Sequence, residues 1–355
     1  MKNLYHLLVT SYKLRVTNLL CRISDIGYRI SFIAFCFLPA AVLAQTQEAE
    51  VTDVVFSCPG IVEITYDLPV SRCVEVTLEY SPDKCTWNPV PGATGAVGLQ
   101  SSGTGKKILW NSAANNASFG KLYFRVLYSY AYAPTPNCDD LGGVMINGKC
   151  WAQHNLAVGG DFAIDHTYSG NNNAALFQWG RRADGHEARN SPTTGTRSST
   201  DDPGHNMFII SSPDWRTPRN DFLWNSGTET CPVKTANDPC PEHWRVPTHT
   251  ELETLGVSLT DQTYVTKVWQ SDYESTGING YLCTDNAPPY NSLFLPAAGE
   301  RYLSNLLLDV GMGGGYWSSA PLSTNAYFLY INNGTFDPAT YFRSNGFSVR
   351  CVSEN

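Results

Sequence analysis

Ala133-Pro134-Thr135-Pro136-Asn137 splits this 355-residue chain into two stretches built on different patterns. Two prolines in five residues fix φ and remove backbone donors, so neither a helix nor a central strand runs through the segment. On its amino-terminal side the apolar residues alternate: Val62, Ile64 and Tyr66, then Val74, Val76, Leu78 and Tyr80, then Leu122, Phe124, Val126 and Tyr128. Period two with polar residues between marks strands with one buried face. Turn formers at Asp67-Leu68-Pro69, Ser81-Pro82-Asp83 and Pro91-Gly92-Ala93 separate them. On the carboxyl side the pattern changes. Trp151, Trp179, Trp215, Trp224, Trp244, Trp269 and Trp317 fall there among many glycines, which suits a compact, loop-rich α+β fold pinned by aromatic packing.

Residues 45–133 are therefore predicted to form a small immunoglobulin-like β-sandwich and residues 134–355 a second domain. The first 44 residues differ from both. Lys2, Lys13, Arg15, Arg22 and Arg29 precede an apolar run from Ile30 to Ala44, followed by Gln45-Thr46-Gln47-Glu48. Basic, apolar, small and polar in that order reads as a secretory signal cleaved after Ala44. A single N-terminal anchor is the alternative, and the only route to a membrane that the sequence offers. Removing that segment takes the formal charge from −8 to −12, since five basic residues and Asp25 leave with it. An acidic chain lacks the basic face that neutralises phosphates, so nucleic acid is not expected as a partner.

Nine of the 11 cysteines remain after cleavage, which in an oxidising compartment implies disulfides and a spare thiol. Cys138 and Cys150 bracket Gly142-Gly143 and Asn147-Gly148, a hairpin that brings them together. Cys58, Cys73 and Cys85 leave one unpaired, and Cys73 with Cys85 is the nearest local choice. One helix start is explicit. In Pro247-Thr248-His249-Thr250-Glu251 the Thr248 and Glu251 side chains can each serve the other's backbone amide, and Leu252, Leu255 and Leu259 then share a helical face.

Catalytic signatures are missing. Neither a nucleophile elbow nor a His-Glu-x-x-His helix occurs. Asp184-Gly185-His186-Glu187 has no second histidine at ligand spacing and reads as a solvated turn. The tripeptides of calcium-dependent sugar binding are absent, Trp224-Asn225-Ser226 being the nearest approach. No metal or cofactor is expected.

The second domain carries five ordered motifs: Gly148-Lys149-Cys150-Trp151-Ala152-Gln153-His154-Asn155-Leu156, Phe177-Gln178-Trp179-Gly180-Arg181, Cys240-Pro241-Glu242-His243-Trp244-Arg245-Val246-Pro247-Thr248, Leu293-Phe294-Leu295-Pro296-Ala297-Ala298-Gly299, and Gly315-Tyr316-Trp317-Ser318-Ser319 through Gly346-Phe347-Ser348-Val349-Arg350-Cys351-Val352. In these it resembles the Fibrobacter succinogenes major paralogous domain, common in exported Bacteroidota proteins. The resemblance implies a C-type-lectin-like fold, and a secreted or outer-surface location on a Gram-negative cell. It also implies a bond from Cys240 to Cys351, which would close about 110 residues and contribute on the order of 4 kcal/mol in the chain-entropy model. Cys231 and Cys283 would then pair. The same fold houses formylglycine-generating oxidases, but Cys351 sits outside their cysteine pattern.

Residues 316–350 further resemble the variable region of diversity-generating retroelement targets, which rewrite adenine-containing codons on a fixed scaffold. That likeness implies a receptor whose ligand, a protein or a glycan, meets the carboxyl-terminal strands. The residues point the same way. In Tyr327-Phe328-Leu329-Tyr330-Ile331-Asn332 alternation puts Tyr327, Leu329 and Ile331 on one face, as core, and Phe328, Tyr330 and Asn332 on the other. Thr340, Tyr341 and Phe342 form a second cluster beside the turn at Asp337-Pro338. Aromatic rings give contact area at low entropic cost, while Asn and Thr adapt their hydrogen bonds. These six residues are the main candidate contacts, with Asp337, Leu322 and Ser323 secondary. The competing reading is a sheet buried on both faces.

Overall fold

The computed structural model describes residues 46–57, 60–70, 72–113, 122–130, 136–168, 175–303 and 305–354. The proposed leader, Cys58 and residues 133–135 of the connector lie outside them. The chain divides between Ala133 and Pro134 into two compact units.

Among its described residues, every regular element of the first unit is a strand. Gln47–Ser57 pairs through Gln47, Glu48 and Ala49 with Tyr123–Tyr130, then through its later residues with Ile61–Leu68, which in turn pairs with Gly103–Asn111. Val74–Ser81 lies on the far side of Tyr123–Tyr130. Val62, Ile64, Tyr66, Ile108 and Trp110 from one half of the sheet and Val74, Val76, Leu78 and Val126 from the other share one buried cluster. The sheet thus folds over onto itself. The alternation seen in the sequence exists because one face of each strand is excluded from water.

The second unit corrects the α+β expectation. Among the described residues the protein is mostly β, with 45% in strands and 2% helical. Among the described residues the helix is His249–Glu253, opened by the capping box: Thr248 Oγ1 accepts from the Glu251 amide at 3.2 Å and Glu251 Oε2 accepts from the Thr248 amide at 2.9 Å. It stops after little more than a turn because Gly256 takes φ +118, and a Cβ there would meet Lys267 Nζ at 2.0 Å. Leu252 and Leu255 still reach the core, and Leu259 packs against it, but from irregular backbone.

Loops on this scale need partners for their carbonyls. Four buried arginines supply them. Arg350 donates to Ala152, Gln153 and Phe294 carbonyls, Arg301 to those of Ala188 and Ser191, Arg181 to those of His205 and Met207, and Arg343 to those of Asn220, Ser323 and Asn325. Helices, which satisfy their own backbone, are therefore largely unnecessary.

Cys138 is bonded to Cys150 and Cys240 to Cys351, the latter closing a separation of 111 residues. Cys73 and Cys85 both lie in disulfides. The pairing of Cys231 with Cys283 does not occur. Cys231 is bonded elsewhere, while Cys283 is a free thiol at the centre of the sheet Val265–Tyr273, Ile278–Asp285, Ser292–Pro296. The disulfides are compatible with an exported protein. No helix among the described residues is long and apolar enough to cross a membrane.

Candidate functional site

The carboxyl-terminal sheet consists of Gly313–Leu322, Asn325–Asn332 and Thr335–Phe342, antiparallel and consecutive. Its central strand pairs Phe328 with Trp317 and Ala339, and Leu329 with Tyr316 and Pro338. Because successive side chains alternate, adjacent residues enter different cores. Tyr316, Leu329, Ile331 and Phe336 join the cluster around Trp151 and Tyr281, whereas Trp317, Ala326 and Phe328 join the cluster around Trp179, Trp244 and Phe347. The sheet is packed on both faces, in part as the competing reading held.

This placement removes Phe328 from the candidate contacts. It is 5% exposed, stacked on Phe347 at 4.5 Å and edge-on to Trp317 at 5.8 Å. Tyr330 and Tyr341 remain half-buried, each edge-on to Phe328, at 6.3 and 6.2 Å. Asn332 donates to the Tyr330 hydroxyl at 3.3 Å, and exposed Asp337 lies directly across from Tyr330. Register thus gathers Tyr330, Asn332, Asp337 and Tyr341 on one face. Thr340 and Phe342 fall on the opposite face, across from Tyr327 and Asn325. Leu322 and Ser323 are exposed at the hairpin turn, where the Ser323 carbonyl accepts from Arg343 at 2.6 Å.

Several residues on or near this sheet escaped the sequence reading. Tyr327, expected as core, is half-buried, stacked on His249 at 4.2 Å, and lines a pocket of about 400 Å³ with Phe222, Ser319 and Pro321. Glu300 and Tyr302 lie beside Tyr341. Burial, then the nearby Asp309 carboxylate, pushes the Glu300 carboxyl up to about 7. Five of seven residues from Leu306 to Met312 are exposed and apolar, on and beside the strand Leu307–Leu308 that pairs with Glu300–Arg301. No periodicity marks Glu300 and Tyr302, which reach Tyr341 through tertiary contact.

Asp184, His186 and Glu187 come together with metal-like spacing, and they are not the solvated turn expected. His186 and Glu187 are fully buried. His186 Nε2 accepts from the Gln178 amide at 3.0 Å, so its proton sits on Nδ1 and goes to Asp184 at 2.7 Å. Asp184 also takes Arg181, and Glu187 takes the Gly159 and Gly185 amides. Every ligand atom facing the cluster is already used, which makes it a structural network. Cys283 is equally unreactive in character. Burial, only partly offset by Lys267 and Arg350, pushes its thiol up to about 12, the opposite of an activated nucleophile.

No family model, curated protein or solved structure matches the chain.

Proposed function

We propose that this is an exported, non-catalytic recognition protein that meets a surface ligand, protein or glycan, through its carboxyl-terminal sheet. One observation carries the reading. A single sheet, locked from both sides by buried residues, also presents Tyr330, Asn332, Asp337, Tyr341, Thr340 and Phe342 at its surface, and these are contact-forming types. The resemblance of residues 316–350 to retroelement variable regions adds that these positions are rewritten while the scaffold is kept.

The DNA beyond the 3′ end tests that extension. A near-copy of codons 316–350, differing at adenines of the surface positions and matching at Phe328, Leu329, Ile331 and Phe336, supports it. Absence of both a copy and a reverse-transcriptase gene removes it. The broader reading is tested by replacing Tyr330, Asn332, Asp337, Tyr341 and Phe342 together with alanine. The disulfide-bonded fold should survive with its near-ultraviolet circular dichroism intact, and collapse would show that these residues are internal packing. A fixed glycan-binding module is the second reading, favoured by the stacked Tyr327–His249 pair in its pocket.

A further inference from the structure

We propose that the second unit holds another binding site, separate from the carboxyl-terminal sheet and independent of the function proposed above, for a neutral saccharide. It is a cleft of about 580 Å³ between the loop carrying His154 and His166 and the sheet face where Tyr273 and Phe294, from the two outer strands, meet, within the size range of small-ligand sites, about 300–1,000 Å³. No residue of the carboxyl-terminal sheet lines it.

Its wall is a continuous aromatic strip. Tyr273 and Phe294 stack face to face at 3.9 Å and 7°. His166 sits edge-on to both, at 5.7 and 5.1 Å, and His154 lies 4.5 Å from His166. Phe294 is buried beneath half-buried Tyr273, so the outer face of the Tyr273 ring is the flat surface left for the C–H side of a sugar.

Two polar atoms just beneath the wall are unsatisfied. Nδ1 of His154 and Nδ1 of His166 are closed to solvent and find no hydrogen-bond partner among the described residues, a costly condition that a small turn of either ring toward a ligand hydroxyl in the cleft would relieve. Both rings are neutral near pH 7. Burial and then the Arg350 guanidinium push His166 down to about 3 and lower His154 as well. Arg350 is fixed behind them by the Asn155 side chain and the Gln153 and Phe294 carbonyls.

The charges narrow the occupant. That fixed cation disfavours a bound metal ion or ammonium group at the imidazoles. At the rim stand the carboxylates Asp165 and Glu274, and no lysine or arginine is among the described lining residues, which disfavours phosphate, sulfate or carboxylate ligands. What remains is an uncharged molecule with hydroxyls for the imidazoles and for Gln153 at the rim, and an apolar face for the rings.

The test is calorimetric titration of the full chain, disulfides intact, with neutral gluco-, manno-, galacto- and xylo-saccharides from mono- to tetramer, together with long-range proton–nitrogen NMR of the imidazoles. At least one sugar should bind and move the His154 and His166 ring signals. Tyr273→Ala and Gln153→Ala should each weaken it about tenfold or more, Tyr273→Phe should keep it, and Tyr330→Ala should leave it unchanged. Affinity should be flat between about pH 7 and 8, where both imidazoles are neutral. Silence from every sugar overturns the proposal. So does binding that leaves the imidazole signals still, or binding abolished by Tyr330→Ala, which would place the sugar on the carboxyl-terminal sheet instead. The NMR readout on the unaltered protein decides the matter even if a variant fails to fold.

Discussion

Phe328 and Tyr330 are two residues apart on one strand and point to the same side, yet their replacement by alanine should differ several-fold in cost. Phe328 is 5% exposed and touches Trp317, Phe347, Tyr330 and Tyr341. Phe328→Ala removes that apolar area and leaves a void whose walls, Trp317, Tyr330, Tyr341 and Phe347, belong to four strands, so little collapse is available. Such changes cost about 3–5 kcal/mol. Tyr330 is half-buried, and its loss forfeits about half of a buried ring, about 1 kcal/mol. At about 2–4 °C per kcal/mol for a unit of this size, Phe328→Ala should lower Tm by about 6–20 °C and Tyr330→Ala by about 2–4 °C. Urea unfolding followed by tryptophan emission, with thermal melts alongside, measures both. If Phe328→Ala costs less than about 1 kcal/mol, or the two variants match, then the division of this sheet into scaffold and surface is wrong.

Three further outcomes follow from the electrostatics and the thiol. Glu300 titrates near 7 in the folded state and near 4.5 when unfolded, so protonation favours the fold and stability falls as pH rises from about 4.5 to 7. Glu300→Gln should therefore gain about 1 kcal/mol at pH 8, after discounting for partial exposure, and nothing at pH 4, by urea titration at both values. Burial raises Glu251, but Arg245, bonded to both its oxygens at 2.6 Å, and then Lys149 bring it down to about 2. This pair's contribution is present above about pH 4.5 and lost toward pH 2; Arg245→Met should cost about 3–5 kcal/mol at pH 7 by stranding the carboxylate, and guanidinium melts across that range would show it. Cys283 should resist alkylation in the native protein at pH 8 and label fully only after unfolding, as mass spectrometry can establish; rapid native labelling would contradict its burial.

Local patterning was enough for a good part of this protein. The inward residues Val62, Ile64, Tyr66, Val74, Val76 and Leu78 were legible because strand alternation is a nearest-neighbour property and only one face is buried. The capping box was legible because its two hydrogen bonds span three residues, and the Cys138–Cys150 bond because a hairpin brings its ends together. Tertiary structure alone decided the rest. Alternation told which residues of Tyr327–Asn332 share a face but not whether that face is covered, since Trp317 and Phe347 cover Phe328 from outside its strand. The helix ended early, and the left-handed turn at Gly256 just beyond it admits no side chain because Lys267, eleven residues further on, occupies that space. Cys283 stayed free, and five arginines went inside, because pairing and acceptors for buried guanidinium groups depend on which distant loops meet. Composition and spacing carry the short-range rules of backbone and face; coverage of a face is a long-range fact, and it separates a contact residue from a core one.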